Sequence, residues 1–125
     1  MSYLRGARVL VVDDEGDVCV ALKDLLETEM DAKVWVADSA AKALTLLETT
    51  VVDVLITDYR MPGGDGLQLA ETVRLTYPRV RCVMVTAFDR DLMRALGGRP
   101  APMRVLHKPL EPADILDEVH RASPT

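Results

Sequence analysis

Short apolar runs and helical patterns of apolar residues alternate along the whole chain. The runs are rich in β-branched residues and lack polar alternation, which is typical of strands covered on both faces of a sheet. Between them, apolar residues recur every three or four positions, as in amphipathic helices. The pattern predicts strands at Ala7–Val12, Lys33–Ala37, Val51–Asp58, Arg81–Thr86 and Met103–His107. It predicts helices at about Asp17–Met30, Ala40–Leu47 (after an Asp38-Ser39 cap), Leu67–Tyr77, Arg90–Leu96 and about Glu111–Ala122.

The order of these elements predicts the fold class. Five predicted strands alternate with five predicted helices, which indicates βαβ units, a parallel sheet and right-handed crossovers. In open α/β sheets the functional site lies beyond the carboxyl ends of the strands. The residues at the strand ends are therefore the candidates for a functional site.

Four of the five predicted strands end in a polar residue that could take part in chemistry. The first ends at Asp13 and Asp14, the third at Asp58, the fourth at Thr86 and the fifth at Lys108. Carboxylates that lie close together repel each other, so either some are protonated or a cation lies among them. Hard oxygen ligands without His or Cys favour Mg²⁺, or Mn²⁺, as that cation.

Asp58 is the candidate nucleophile of this set, since it ends an apolar strand and precedes a Pro/Gly loop. A carboxylate beside Mg²⁺ can attack phosphorus and form an aspartyl phosphate. Transfer of that group depends mainly on positioning and charge neutralisation. Lys108 offers a positive charge for phosphate oxygens, and Thr86 offers a hydroxyl donor. Taken singly, each residue is also explained by ordinary turn, strand or surface chemistry, so the hypothesis rests on their joint occurrence.

Composition and charge narrow the class of protein. A chain of 125 residues with 49% apolar content is expected to form one domain with its own core. The net charge of −5 argues against nucleic-acid binding by this domain. No apolar run reaches the length of a membrane span, and Met1–Gly6 lacks a signal-peptide core, so we expect a cytoplasmic protein that contacts no membrane. Cys19 and Cys82 belong to no metal or redox motif and are expected to be buried apolar residues.

Four short motifs follow one another at definite intervals. They are Val12-Asp13-Asp14-Glu15, Asp58-Tyr59-Arg60-Met61-Pro62-Gly63-Gly64-Asp65-Gly66-Leu67, Val85-Thr86-Ala87-Phe88 and Lys108-Pro109. In kind, order and spacing they resemble the receiver domains of bacterial two-component response regulators, over nearly the whole chain. The resemblance implies a flavodoxin-like (βα)5 three-layer sandwich with a five-stranded parallel sheet of order 2-1-3-4-5. It also implies a single receiver domain over 1–125, with a core at about 7–122 and residues 123–125 as a tail or the start of a linker.

The resemblance implies a metal site and an acceptor. Asp58 would accept a phosphoryl group from a sensor histidine kinase or a histidine phosphotransfer protein. Asp14, Asp58 and the backbone carbonyl of Arg60 would ligate Mg²⁺, and Asp13 would contribute through water.

The resemblance also implies how the phosphorylated state is recognised. Thr86 would move to hydrogen-bond the phosphoryl group, and Lys108 would pair with it. The Lys108–Pro109 peptide bond is expected to be cis, a form essentially confined to bonds before proline.

Two departures from the family pattern concern the face that would carry the output. That face, formed by the fourth helix, fifth strand and fifth helix, would control an output domain or partner, or form a homodimer. Many receivers carry Tyr or Phe three residues before the lysine, where this chain has Val105. Gly97, Gly98, Pro100 and Pro102 also shorten the fourth helix.

Two other functions are open alternatives. One is an interaction module that works without phosphorylation, which the valine at 105 leaves possible. The other is a phosphohydrolase with an aspartyl-phosphate intermediate, resembling the haloacid dehalogenases. Such enzymes need a second Asp two residues after the nucleophile, where Arg60 cannot donate a proton at ordinary pH. The expected function is thus a phosphorylation-dependent switch that catalyses its own phosphorylation and dephosphorylation but turns over no external substrate.

Overall fold

The computed structural model of the protein describes residues 6–61, 64–87 and 90–122. The strands are β1 Arg8–Val12, β2 Lys33–Ala37, β3 Val54–Asp58, β4 Arg60–Met61, β5 Gly64–Asp65, β6 Arg81–Thr86 and β7 Arg104–His107. The helices are α1 Gly16–Met30, α2 Ala40–Thr49, α3 Gly66–Thr76, α4 Arg90–Leu96 and α5 Pro112–Ala122. Residues 1–5, Pro62, Gly63, Phe88, the expected cap Asp89 and residues 123–125, expected to be a tail or the start of a linker, lie outside the described residues.

Five strands form one parallel sheet in the order β2-β1-β3-β6-β7. Counting only the strands of this sheet, the order is 2-1-3-4-5, as the resemblance implied. The register pairs Val12 with Thr57, Asp58 with Val85, and Thr86 with His107. The carboxyl ends of β1, β3, β6 and β7 therefore meet at one edge of the sheet.

The sheet lies between two layers of helices. Because successive side chains of a strand point to opposite faces, Val9 and Val11 pack with α1 and α5, whereas Leu10 and Val12 pack with α2 and α3. Both faces of the central strands are therefore covered, which explains why their sequences are apolar without alternation. This arrangement confirms the predicted three-layer sandwich.

The third strand and the loop after it differ from the sequence prediction. The strand begins at Val54 and not at Val51, which is 66% exposed. The Pro/Gly loop contains an unpredicted antiparallel ribbon, in which β4 pairs with β5 through Arg60 with Asp65 and Met61 with Gly64. Two-residue strands carry no apolar periodicity, so only the pairing itself reveals them.

Helix ends follow the expected local chemistry. The Ser39 hydroxyl accepts a hydrogen bond from the Lys42 N–H at 3.2 Å and caps α2. Gly97 and Gly98 have φ angles of 57° and 81°, so both lie in the left-handed region and end α4 after seven residues. No helix within the described ranges is long and apolar enough to cross a membrane.

Both cysteines are free and buried, as expected. Burial raises the pKa of the Cys82 thiol to about 11, against a smaller lowering by the Arg74 guanidinium, and burial likewise raises the pKa of Cys19. At pH 8 both side chains are therefore protonated and poorly nucleophilic. We expect intact mass spectrometry to show no iodoacetamide adduct on the native chain and two adducts in guanidinium chloride. Rapid, stoichiometric alkylation of the native chain would contradict this burial.

Candidate functional site

Three aspartates meet at the carboxyl edge of the sheet. Asp13 and Asp14 follow β1, and Asp58 ends the neighbouring strand β3. Each offers one carboxylate oxygen, and these three oxygens lie within 4.8 Å of one another. Asp13 is buried, Asp58 is half-buried and Asp14 is exposed, so the group opens from the core towards solvent. The structure thus brings together all three carboxylates that the sequence indicated.

The two oxygens of the Asp58 carboxylate lie in different surroundings. Oδ1 accepts a hydrogen bond from the backbone N–H of Tyr59 at 2.8 Å, and Oδ2 lies 3.4 Å from the Lys108 Nζ. The side chain is only 12% exposed. Oδ1 is thus held by a backbone N–H, whereas Oδ2 lies beside the Lys108 ammonium group.

Asp13 is the most buried carboxylate of the group, at 4% exposure. Its Oδ1 accepts the Glu15 N–H at 2.9 Å, and its backbone carbonyl accepts the Cys19 thiol at 3.3 Å. Burial raises the pKa of Asp13, and the negative charge of Asp58 raises it further, while the Glu15 N–H and Lys108 act in the opposite direction. The charged form of Asp13 is therefore disfavoured overall, and a cation among the carboxylates would relieve that cost.

Lys108 supplies the positive charge beside this cluster. Its Nζ lies 3.4 Å from Asp58 Oδ2 and 3.8 Å from Asp13 Oδ2. The backbone fixes its position, because the Lys108 N–H donates to the Thr86 carbonyl at 2.9 Å and the following bond to Pro109 is cis, as expected. One lysine beside three carboxylates leaves an excess of negative charge, which suits a hard divalent cation.

A pocket of about 620 Å³ opens beside the Asp58 carboxylate. The residues that line it are Asp14, Glu15, Asp58, Arg60, Thr86, Ala87, Arg90 and Lys108. Thr86 is buried at the end of β6, next to Lys108 in the backbone hydrogen-bonding pattern. All six predicted site residues therefore lie at one edge of the sheet. Five of them line the pocket, and Asp13 belongs to the cluster of three aspartates.

The Arg60 side chain has a partner that sequence reasoning missed. Its Nη2 lies 2.6 Å from Asp91 Oδ2, so an ion pair joins the ribbon after β3 to α4. Both side chains are more than half exposed, so the pair contributes little to stability. The ion pair instead fixes the position of the Arg60 guanidinium, which it holds against α4 at the rim of the pocket.

Gly66 is a second residue that sequence reasoning missed. Its N–H donates to the Tyr59 carbonyl at 2.7 Å, and a Cβ at this position would collide with the Asp58 carbonyl oxygen. The first turn of α3 thus lies directly against the backbone of the candidate acceptor. A glycine in a Pro/Gly loop is so common that the sequence held no signal for this contact.

Comparisons with known proteins agree on one family. The family model described as response regulator receiver domain matches residues 9–120. An uncharacterized 14.6 kDa protein of Leptolyngbya boryana is 34% identical over 119 residues, which are 93% of this chain and 89% of that protein. A response regulator receiver protein of Anaeromyxobacter sp. strain Fw109-5 is 34% identical over 110 residues, 88% of this chain and 46% of that protein. This chain therefore spans about half the length of the second relative.

A solved structure supports the same fold. The crystal structure of a response regulator receiver domain protein from Clostridium thermocellum matches with a TM-score of 0.81 at 26% identity, over 93% of both chains.

Replacing Gly66 by alanine tests the close approach to Asp58. Because the new methyl group would meet backbone, which cannot move as a flexible side chain does, we expect Gly66→Ala to lower the free energy of unfolding by about 1–3 kcal/mol. Gly16→Ala is the matched control, since nothing lies within 4 Å of a Cβ there. Urea unfolding of both variants measures the difference. Equal midpoints for Gly66→Ala and Gly16→Ala would show that the contact is absent.

Proposed function

Because the chain belongs to the response regulator receiver domain family, we propose that Asp58 accepts a phosphoryl group and that the domain is a phosphorylation-dependent switch. The observation that supports this most is the placement of Asp58 Oδ2 in an open pocket, beside one lysine and two further carboxylates. In the family, receiver domains act in two-component signalling with histidine kinases or phosphotransfer proteins. The donor proposed for this chain is accordingly the phosphohistidine of a sensor kinase or phosphotransfer protein.

The proposed reaction forms one bond and breaks one bond. An Asp58 oxygen supplies the electron pair for a new O–P bond, and the N–P bond of the donor phosphohistidine breaks, returning its electron pair to the imidazole. Oδ2 is proposed as the nucleophile, because it lies beside the Lys108 ammonium group, which would pair with the incoming phosphoryl oxygens, whereas Oδ1 accepts the Tyr59 N–H. The Asp58 carboxylate needs no general base, since it attacks in its ionised form.

A divalent cation fits the donor set at this edge. The carboxylates of Asp13, Asp14 and Asp58 are hard oxygen donors within 4.8 Å of one another, and we propose that the Arg60 carbonyl joins them. These residues would hold Mg²⁺, or Mn²⁺, with Asp13 acting through water. When bound, the ion would neutralise charge on the phosphoryl oxygens.

Lys108 and Thr86 are proposed to recognise the phosphorylated form. Lys108 already lies 3.4 Å from Asp58 Oδ2, so a phosphoryl group there would meet its ammonium group. The Thr86 hydroxyl, at the end of the next strand, would donate to another phosphoryl oxygen. Formation of that bond would draw the end of β6 towards Asp58.

The route from the acceptor to the output face is proposed to run through packing. Tyr59, next to the acceptor, belongs to one apolar cluster with Met84 of β6 and Leu92 of α4, and Val105 packs against this cluster. A shift of β6 would therefore displace α4 and β7 through these packing contacts, and no aromatic ring at position 105 would have to rotate. We propose that the α4-β7-α5 face in turn controls an output domain, a partner or a homodimer.

Two alternatives have less support from the site. A phosphohydrolase would need a proton donor at residue 60, and the Arg60 guanidinium is instead paired with Asp91. A module that works without phosphorylation would not need the three clustered aspartates, whose carboxylates repel one another and lower the stability of the fold.

Treatment with acetyl phosphate and Mg²⁺ tests the acceptor. We expect intact mass spectrometry to show one added phosphoryl group, which is lost in alkali and absent when EDTA removes the metal. Asp58→Asn should abolish the adduct, because an amide oxygen is a poor nucleophile. Asp38→Asn is the matched control. Asp38 follows β2 at the same edge of the sheet, but it pairs with Lys42 and does not belong to the cluster of three aspartates.

Two results of that experiment would contradict the proposal. One is the absence of an adduct on a chain shown by calorimetry to bind Mg²⁺. The other is steady hydrolysis of several phosphomonoesters, which would favour the phosphohydrolase.

Removal of the lysine charge tests the electrostatic account of the metal site. Since the Lys108 ammonium repels a divalent cation, we expect Lys108→Met to tighten Mg²⁺ binding by about threefold to tenfold. Isothermal titration calorimetry measures the affinity, and the Mg²⁺-induced rise in melting temperature gives an independent check. Lys42→Met is the control, because its ion pair with Asp38 lies apart from the cluster. Weaker Mg²⁺ binding by Lys108→Met would show that the lysine is not opposing the cation.

A further inference from the structure

A second pocket lies at the opposite edge of the sheet from Asp58. It has a volume of about 610 Å³ and opens between the end of α3, the amino ends of β6 and β7, and the segment before β7. The residues that line it are Arg74, Pro78, Val80, Arg81, Cys82, Ala101, Pro102, Met103 and Arg104. Three of these are arginines and none is acidic, although the whole chain has a net charge of −5. We call this site the arginine pocket.

The arginine pocket is separate from the acceptor site. Arg81 is the first residue of β6, and Thr86, which lines the acceptor pocket, is the last. Five residue steps along a strand span roughly 16 Å. The two pockets also have no lining residue in common.

A buried glutamate holds two of the three arginines in place. The Glu118 side chain on α5 is 3% exposed, and its two oxygens lie 2.8 Å from Arg104 Nε and 3.4 Å from Arg81 Nη2. One carboxylate thus neutralises only one of the two guanidinium charges. The Arg104 contact uses Nε, and within the described residues the terminal nitrogens of Arg104 form no hydrogen bond, so they can donate to a ligand.

The third arginine adds further positive charge. Arg74 lies in the last turn of α3 and is exposed. Within the described ranges it forms no ion pair, whereas Arg81 and Arg104 share Glu118. The pocket therefore carries a net positive charge with donors already positioned.

The remaining walls of the pocket are apolar. Pro78 and Val80 form one side, and Pro102 and Met103 form another. The second side belongs to the Gly/Pro segment between α4 and β7. The pocket is thus an open groove in which apolar side chains lie beside the arginines.

We propose that the arginine pocket binds a small ligand of the nucleotide class, with a phosphate group and a planar base. Guanidinium groups bind phosphate oxygens in a bidentate manner and stack on planar rings. The phosphate would contact the terminal nitrogens of Arg74 and Arg104, and the base would lie against Pro102 and Met103. This proposal does not depend on phosphorylation of Asp58.

An NMR titration of the ¹⁵N-labelled chain with AMP and with GMP, in EDTA, tests the proposal. We expect saturable shifts at the amides of residues 74, 81, 82, 101, 103 and 104 with at least one nucleotide. Arg74→Gln should weaken binding by about tenfold, and Arg74→Lys should restore part of it. Arg121→Gln is the charge-matched control, since Arg121 pairs with Asp117 on α5 and does not line the pocket. The spectra of the variants also report whether they fold.

Parallel titrations with adenosine, guanosine and inorganic phosphate separate the contributions of base and phosphate. We expect each to bind at least about tenfold more weakly than the matching nucleotide. The proposal is overturned if neither nucleotide gives saturable shifts up to about 10 mM, or if Arg74→Gln binds as tightly as the wild type. Shifts centred on Asp13, Asp14 and Asp58 would place the ligand at the acceptor site instead. Inorganic phosphate binding as tightly as the nucleotides would show a bare anion site.

Discussion

Mutual repulsion among three carboxylates at one edge of the sheet is the constraint on which the site depends. The pairing of β1 with β3 places Asp13, Asp14 and Asp58 so that their oxygens lie within 4.8 Å of one another. The fold can tolerate this because the strands that carry them are anchored in two apolar layers. Lys108 offsets part of the charge, and the rest is available to attract a cation. The three carboxylates, whose repulsion lowers the stability of the chain without a bound cation, are thereby suited to bind Mg²⁺ and a phosphoryl group together.

The two edges of the sheet carry different clusters of charged residues. The carboxyl edge carries the aspartates, whereas the amino ends of β6 and β7 carry Arg81 and Arg104, held by Glu118. Both edges contact elements of the proposed output face, through the Tyr59–Leu92 cluster at one end and through Glu118 of α5 at the other. The valine at 105 is compatible with such a route, because transmission by packing needs no rotating ring.

Much of the fold and most of the candidate site were predictable from the sequence for a definite physical reason. Strands buried on both faces must be apolar throughout, so their ends, and the polar residues placed there, stand out along the chain. Contacts between distant parts of the chain leave no comparable pattern. The ion pair of Arg60 with Asp91, 31 residues apart, falls in this class. The β4–β5 ribbon is local but too short to show a periodicity, and the contact of Gly66 with the Asp58 backbone leaves no signal because glycine is common in loops. The two arginines that share Glu118 lie 37 and 14 residues from it along the chain, beyond the reach of any local pattern.

Mapping of the acyl phosphate shows which aspartate carries the phosphoryl group. Borohydride reduces an aspartyl phosphate to homoserine, which is stable enough for sequencing by tandem mass spectrometry. After treatment with acetyl phosphate and Mg²⁺, we expect homoserine at position 58 and at no other aspartate. Homoserine at position 13 or 14, or an unmodified Asp58 in a chain that carries a phosphoryl group elsewhere, would contradict it.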